Sequence, residues 1–299
     1  MKILVSGASG LIGSELVPFL ITNGHEVKCL VRSEEDLGDN DIYWNPEEEI
    51  VDLKPLEGFD AVIHLAGKNI AESRWSPTQK KKILDSRVHS TTTLVNALCQ
   101  LKKPPSTLIS ASAIGIYSDC GLTYCNENTP VGTGFLSNVC QQWEAATKPA
   151  QIKGIRTVNL RIGIVLSTHG GALEKMLPLF KAGLGGKLGS GKQYMSWVAM
   201  DDLVAIFLYA ATQPKLKGPV NVVSPYPVTN AAFTKTLASV LKRPAFLRVP
   251  AFVLRLMLGR EMANELLLSS VRVEPLRLTQ AGYIFIYYDL EVALRHLLK

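Results

Sequence analysis

The 299-residue chain has no apolar run long enough to cross a bilayer. Its longest candidate, residues 251–258, is followed at once by Arg260 and Glu261, where a span requires about 20 apolar residues. No leader is expected either: Lys2 stands alone as the early charge, and Gly7, Gly10 and Gly13 interrupt the apolar residues that follow, whereas a secretory h-region is continuous. Cysteine is scarce. The five, Cys29, Cys99, Cys120, Cys125 and Cys140, are odd in number and fit no zinc or redox spacing. A disulfide framework or structural metal therefore has little support, and a reducing, cytoplasmic location is the expectation. Internal repeats and low-complexity tracts are missing, since the 16 prolines and 23 glycines are spread along the chain, so linker-separated domains are not expected. Charge of one sign is also modest, 32 Lys and Arg against 26 Asp and Glu. Lys80-Lys81-Lys82 reads as a solvated helix face, because no basic stripe is interleaved with aromatics. Nucleic acid and membrane are thus not expected as partners, while a weak positive field suits an anionic small molecule.

What is present is apolar material for a sizeable core, 47% of the residues, enough for one large α/β unit with a smaller lobe. The first thirty residues carry the strongest signal. An apolar strand over 2–6 leads through Gly7-Ala8-Ser9-Gly10-Leu11-Ile12-Gly13 into a helical pattern at Leu16, Phe19 and Leu20. Strand, glycine turn, helix is the order that a dinucleotide site requires. Gly7 permits the tight turn, Gly10 lets the backbone approach a pyrophosphate, and Gly13 lets the helix pack close to the strand. The free N–H groups at the helix start then face the phosphates, so Gly7, Ser9, Gly10, Leu11, Ile12 and Gly13 are candidate cofactor contacts.

A second strand over 26–31 ends at the position that faces the adenosine ribose. NAD users place an acid there; here Arg32 and Ser33 follow the strand, and a guanidinium suits a 2′-phosphate. Glu34, Glu35 and Asp36 come just after, which keeps a displaced NAD-type acid open. The stretch 60–67 reads as a buried strand ending in a small-residue turn, with Leu65, Ala66 and Gly67 beside the dinucleotide. His64, inside that strand, reads as a core histidine, since no second ligand lies near it.

Together with Leu108-Ile109-Ser110-Ala111-Ser112-Ala113, these segments resemble extended short-chain dehydrogenase/reductases. Further motifs narrow the resemblance to that superfamily's atypical epimerase-family branch: Ser86-Arg87-Val88, Trp143-Glu144-Ala145-Ala146, Leu160-Arg161-Ile162-Gly163, Gly170-Gly171-Ala172 and Gly185-Gly186-Lys187-Leu188-Gly189-Ser190-Gly191. Pro227-Val228-Thr229-Asn230, Arg243-Pro244-Ala245-Phe246 and Val249-Pro250-Ala251 look like the branch's C-terminal domain. The resemblance covers essentially the whole chain. It implies an α/β fold, a doubly wound parallel Rossmann sheet carrying a smaller, mostly helical C-terminal substrate lobe. It also implies NADP(H) as cofactor, with Lys82, Arg87 and Val165 as further contacts on its nicotinamide side. The expected division is residues 1–225 for the Rossmann domain, with 168–198 contributing to the lobe, and 226–299 for the cap.

A typical short-chain dehydrogenase uses a Tyr as general acid/base, a Lys four residues on, and an upstream Ser. Ser112 stands where that Ser belongs, at the end of the fifth strand. Counting back from Glu144, however, places Cys140 at the Lys position and Leu136 at the Tyr position, and Arg87 replaces the usual Asn. Two replacements for the proton relay stay open: Tyr117 presenting its phenol to the crevice, and a Cys140 thiolate beside the cofactor and Arg87. The rest reads as a helix over 170–184, a glycine-rich loop over 184–191, a helix to Ala211 capped by Asp201, and helices over 229–241, 251–258, 261–268 and 289–298. Ala199 occupies a position where relatives commonly carry His, so no imidazole role carries over. The apolar 253–258 stretch reads as core or a subunit contact, which leaves a homodimer open. Two functions are compatible with these residues: an oxidoreductase or epimerase acting on a small carbonyl or hydroxyl compound, and a non-catalytic NADP(H) sensor that binds a partner protein.

Overall fold

The computed structural model describes residues 1–35 and 37–299. An eight-stranded sheet is its centre: β1 (Lys2–Ser6), β2 (Glu26–Val31), β3 (Asp41–Asn45), β4 (Ile50–Val51), β5 (Ala61–His64), β6 (Thr107–Ala113), β7 (Arg156–Ile162) and β8 (Gly218–Val222), in the order β8-β7-β6-β5-β1-β2-β3-β4. All neighbours run parallel except the β3–β4 pair. The order reverses at β1, whose neighbours are β2 and β5, and ligands of doubly wound sheets bind outside the strand ends at that point. β3 and β4 escape the sequence reading, and with both counted Ser112 lies on the sixth strand rather than the expected fifth. They are short, and β4 is only a two-residue hairpin edge.

Helices cover both faces. α1 (Gly13–Thr22) joins a core with Ile3, Val5, Ile63, Ile109 and Val158, where Leu203, Ile206 and Phe207 from a later helix, Met200–Thr212, meet it. The opposite face receives α2 (Pro77–Gln100), whose Leu94, Val95 and Leu98 pack on Leu4, Val62 and Leu108. α3 (Phe135–Ala145) lies beside α2 and against β6. Side chains alternate along strands, so residues in register share a face. Leu4, Val62 and Leu108 form an apolar row near the strand starts, and Ser6, His64, Ser110 and Asn159 form a polar row farther on. Ser112, Arg161 and Asn221 make another at the strand ends. Both polar rows are buried, and buried polar groups cost stability unless they are hydrogen-bonded. This face of the sheet is therefore apolar at its base and a hydrogen-bonded layer at its ligand-binding end.

Beyond the sheet, residues 164–166 pair with 197–199, 194–195 with 228–229, and 186–188 with 247–249. The last pairing corrects the expected loop over 184–191: three of its residues form a strand, because the backbone of 247–249 supplies the partner. The helix Asn230–Leu241 is capped by Thr229, whose hydroxyl accepts from the Ala232 N–H. The segment expected as one helix over 261–268 is a short helix, Arg260–Ala263, that widens to a π turn at Asn264–Leu268. Asp201 does not cap the preceding junction. The helix begins at Met200 without a side-chain cap, and Asp201 pairs with His296 at 3.1 Å. The next residue, Asp202, is fully buried and accepts from the Ile286 and Tyr287 N–H groups at 2.7 and 2.9 Å, which pins the C-terminal segment to this helix. Among the described residues no helix is long and apolar enough to cross a membrane, and no cluster of His, Cys, Asp and Glu could hold a metal ion.

Candidate dinucleotide and substrate site

The glycine turn is built to leave main chain uncovered. Gly7 sits at φ +76°, and a Cβ on it would lie 2.8 Å from the Leu65 carbonyl carbon. At Gly13 a Cβ would collide with the Gly7 carbonyl oxygen and the Ala8 backbone. Only glycine lets the turn, the helix start and the 65–66 backbone come this close. α1 begins with no side-chain cap. Although the Ser14 and Glu15 N–H groups donate to the Gly10 and Ile12 carbonyls, those of Leu11, Ile12 and Gly13 have no acceptor among the described residues, so they and the positive end of the dipole are available to an anion. The Leu65 N–H donates to the Ser6 carbonyl, which brings Leu65, Ala66 and Gly67 beside the turn. Leu11 reaches out and fills the space over Gly170 and Gly171, where a Cβ at Gly170 would meet its Cδ1 at 2.9 Å. That contact draws the loop following Val165, in the strand Ile164–Leu166, over the turn.

Arg87 closes the other side. Its Nη1 donates to the carbonyls of Lys68 and Ile83 at 2.9 and 3.1 Å, and its guanidinium lies 5.0 Å from the Trp143 ring and against Gly67. Burial lowers its pKa to about 10, with Cys140 opposing that shift. No carboxylate among the described residues pairs with Arg87. A half-buried cation whose hydrogen bonds go to carbonyls favours an incoming anion. Lys82, five residues earlier on α2, is exposed while the neighbouring Ile83 is buried, so it lies on the solvent side of the helix. Arg32 and Ser33 are exposed just past the end of β2, and the Ser33 hydroxyl accepts from the Glu35 N–H. Of the alternative acids, Glu34 and Glu35 are exposed, and Asp36 lies outside the described residues.

At the ends of β6 and β7 the second polar row becomes a chain of hydrogen bonds. The Ser112 hydroxyl donates to Glu144 Oε1 at 2.8 Å. Arg161 clamps the same carboxylate through Nε and Nη2 at 2.8 and 2.9 Å, a bidentate pair. Arg161 Nη1 donates to the Tyr117 hydroxyl, which donates in turn to Asn221 Oδ1 at 2.8 Å. Burial alone would lower the Arg161 pKa, but its bonds to Glu144 and Tyr117 raise it. The network ends at Glu127, which accepts from the Asn221 and Arg277 N–H groups.

This geometry corrects two expectations. Tyr117 does not present its phenol to the crevice: it is 4% exposed with its hydroxyl committed to Arg161 and Asn221, and burial raises its pKa against the pull of Arg161. Cys140 is a buried thiol rather than a thiolate. Burial and then Glu144 push it up to about 11, more than Arg87 and the other neighbours lower it. A third correction concerns cysteine pairing: Cys120 and Cys125 are joined in a disulfide. His64 is a structural histidine, bonded to Ser6 at 2.6 Å and Thr91 at 3.0 Å, with burial lowering its pKa to about 3.

Sequence reasoning noticed Glu144 as a landmark but not as Ser112's partner, and it gave no role to Arg161, Asn221 or Glu265. Glu265 accepts from the Phe135 and Leu136 N–H groups at 3.0 and 2.8 Å and so caps α3 from the C-terminal lobe. Gly134, at φ +101°, makes room for it. About 130 residues separate cap and helix, so no local signal existed. A cleft of about 450 Å³ adjoins this cap, lined by Ser118, Leu136, Arg255, Asn264, Glu265 and Val271 among others. A larger hollow of about 820 Å³ lies at the opposite end of β7 and β8. Arg156 and Arg277 there direct their donors at carbonyls of residues 210–219, so it is remote from the strand ends where ligands bind.

The NAD dependent epimerase/dehydratase family model matches residues 3–239, and a domain of unknown function, DUF1731, matches residues 249–297. An epimerase family protein of Mycobacterium bovis is 43% identical, over 95% of this chain and 93% of its own length. The crystal structure of human epimerase family protein SDR39U1 with NADPH superposes with a TM-score of 0.92 at 34% identity, covering 99% of both chains. A UDP-glucose 4-epimerase from Thermotoga maritima, 19% identical at a TM-score of 0.76 over 99% of this chain and 96% of its own, shares the fold. By its sequence match and its architecture, the chain belongs to the NAD dependent epimerase/dehydratase family.

Proposed function

We propose that this protein binds NADP(H) and catalyses hydride exchange on a small carbonyl or hydroxyl compound, as an oxidoreductase or epimerase of the atypical short-chain type. The observation that carries the reading is the uncapped α1 N-terminus in its glycine cradle, facing the Gly67 turn where Arg87 has no acidic partner among the described residues. The residues fit the dinucleotide: the Gly7–Gly13 backbone would hold the diphosphate, and Leu65, Ala66 and Gly67 would flank the ribose. Arg32 would select the 2′-phosphate, and Arg87 with Val165 would hold the nicotinamide side. When bound, the nicotinamide supplies or accepts the hydride. Ser112 is the group at the strand ends suited to orient the reacting oxygen: its proton goes to Glu144, itself fixed by Arg161, and its lone pairs would accept from a substrate hydroxyl. The human relative crystallised with NADPH supports the choice of the phosphorylated nucleotide.

A second reading is favoured by one feature. Leu136 and Cys140 stand where Tyr and Lys form the usual relay, and the Cys140 thiol holds its proton. A protein so equipped would serve as a non-catalytic NADP(H) sensor signalling to a partner protein. Titration of purified protein with NADPH and NADH, followed by a screen of small aldehydes, ketones and sugar nucleotides for NADPH oxidation, separates the cases. Binding with turnover is expected; binding without turnover of any compound leaves the sensor, and no association with either dinucleotide rejects both.

A further inference from the structure

The loop leaving β6 closes a small ring through the Cys120–Cys125 disulfide. Both ends of the bridge donate to one extended segment of the C-terminal lobe: the Cys120 N–H to the Ser270 carbonyl and the Cys125 N–H to the Arg272 carbonyl, each at 2.8 Å. Carbonyls two residues apart on an extended chain point the same way, so the bridge holds two donors at the spacing that segment presents. The Glu274 N–H returns a bond to the Cys125 carbonyl at 3.0 Å. Around these, Asp119 accepts from the Ser270 N–H and the Ser270 hydroxyl donates to the Gly121 carbonyl. Arg272 donates to the Leu122 carbonyl while lying 3.8 Å from the Tyr124 ring centre. The far side of the segment is held by Ser196, which donates to the Val271 carbonyl and accepts from the Val273 N–H. Ser118 and Asp119 from the ring side, and Ser269 and Val271 from the segment, line the cleft beside Leu136. The disulfide thus sits on the seam between two walls of that cleft.

We propose that Cys120–Cys125 is a redox clasp. Oxidised, it locks residues 118–125 onto 269–274; reduced by a dithiol, it lets the two walls part and opens the cleft, while the dinucleotide cradle stays as it is. The sulfur to be attacked is that of Cys120, which is partly exposed, whereas Cys125 is 3% exposed. A thiolate of the dithiol attacks Cys120 Sγ, the S–S bond breaks, and its electron pair leaves on Cys125 Sγ, which takes a proton. The second thiol of the reagent attacks the mixed disulfide, Cys120 departs as a thiol, and the reagent leaves as its own disulfide. Two electrons and two protons pass from the reagent to the protein. No hydrogen bond joins the clasp to Gly7–Gly13 or to Arg87 among the described residues, so the switch acts on the substrate side alone.

The test uses the full chain, with and without saturating NADPH, equilibrated against dithiothreitol and then alkylated with iodoacetamide under denaturing quench. Three labelled cysteines are expected before reduction and five after it. In the folded protein, the Cys120, Cys125 and Glu274 amides should exchange hydrogen at least tenfold faster after reduction and in Cys120→Ser. The Kd for NADPH should stay within twofold. Five labels without reductant, or a bridge that survives dithiothreitol in the folded protein, overturns the proposal. So does unchanged exchange at those amides, protection lost across the central sheet, or a larger change in NADPH affinity. The labelling and exchange arms do not need the dinucleotide, so a failure of NADPH to bind would sink the reading above and leave this one standing.

Discussion

The two ends of the crevice are made of different material. The dinucleotide end is main chain: Gly7, Gly10 and Gly13 make their contribution by having no side chain, and the contacts they permit lie within about sixty residues of one another. The other end is side chain: Ser112, Glu144, Arg161, Tyr117 and Asn221 come from a strand, a helix, a second strand, a 3₁₀ turn and a third strand, and each depends on the next. A backbone site tolerates change around it as long as its glycines remain. A side-chain network fails as a unit, because each member removed leaves a buried partner unsatisfied.

The sharpest way to test that contrast is Glu144→Ala, which leaves Arg161, with its side chain 6% exposed, unpaired. A loss of about 3–5 kcal/mol in stability is expected, read from urea denaturation; a loss below about 1 kcal/mol would mean that the network is peripheral. Next in size is a pH effect in the neighbouring polar row. His64 is neutral in the folded protein, its pKa lowered by burial to about 3, whereas the unfolded chain protonates near pH 6.5. The unfolded state therefore binds the extra proton between those values. The His64 contribution is complete above pH 6.5 and is lost as pH falls toward 3, by about 2 kcal/mol between pH 7 and 5. Denaturation midpoints at the two pH values measure it, and His64→Asn should flatten the difference; an equal slope in both proteins would remove His64 as the cause.

On the dinucleotide side, Arg32→Asp should weaken NADPH by about 1–3 kcal/mol and leave NADH nearly unchanged, because one charge-assisted pair to the 2′-phosphate is lost. Equal losses by calorimetry would refute that assignment. The smallest effect on stability, about 1 kcal/mol, is expected from Ser112→Ala, which removes a single hydrogen bond to Glu144. NADPH affinity should be intact, and turnover of any substrate found in the screen should be abolished. Unimpaired turnover would take Ser112 out of the chemistry and blur the contrast between the two ends.

What could be read in the sequence follows the same division. The glycine turn announces itself because strand, turn and helix are contiguous and each glycine has a steric reason to be there. The short runs of apolar and small residues that make β1, β5 and β6 strands buried on both faces are equally local. The pairing of 186–188 with 247–249, the π turn at 264–268 and the β3–β4 edge were not legible, since short strands take their stability from partners elsewhere in the chain. Tyr117 and Cys140 were sensible candidates by residue type. Their environment decides otherwise: a guanidinium and an amide claim the phenol, and burial keeps the proton on the thiol. The Cys120–Cys125 bridge went unseen because an odd count says nothing of which two sulfurs the fold brings together.

The carboxylate of Glu265 at the first turn of α3 has a consequence for how the protein can be divided. The two family matches meet near residue 240 and invite a cut there. Severing the chain at that point would remove the acceptor from two amides at the start of the helix that carries Leu136, Cys140 and Glu144. The same cut would take Leu278 from the main core and the Ile286 and Tyr287 amides from buried Asp202, so the tail is part of the larger unit rather than an appendage to it.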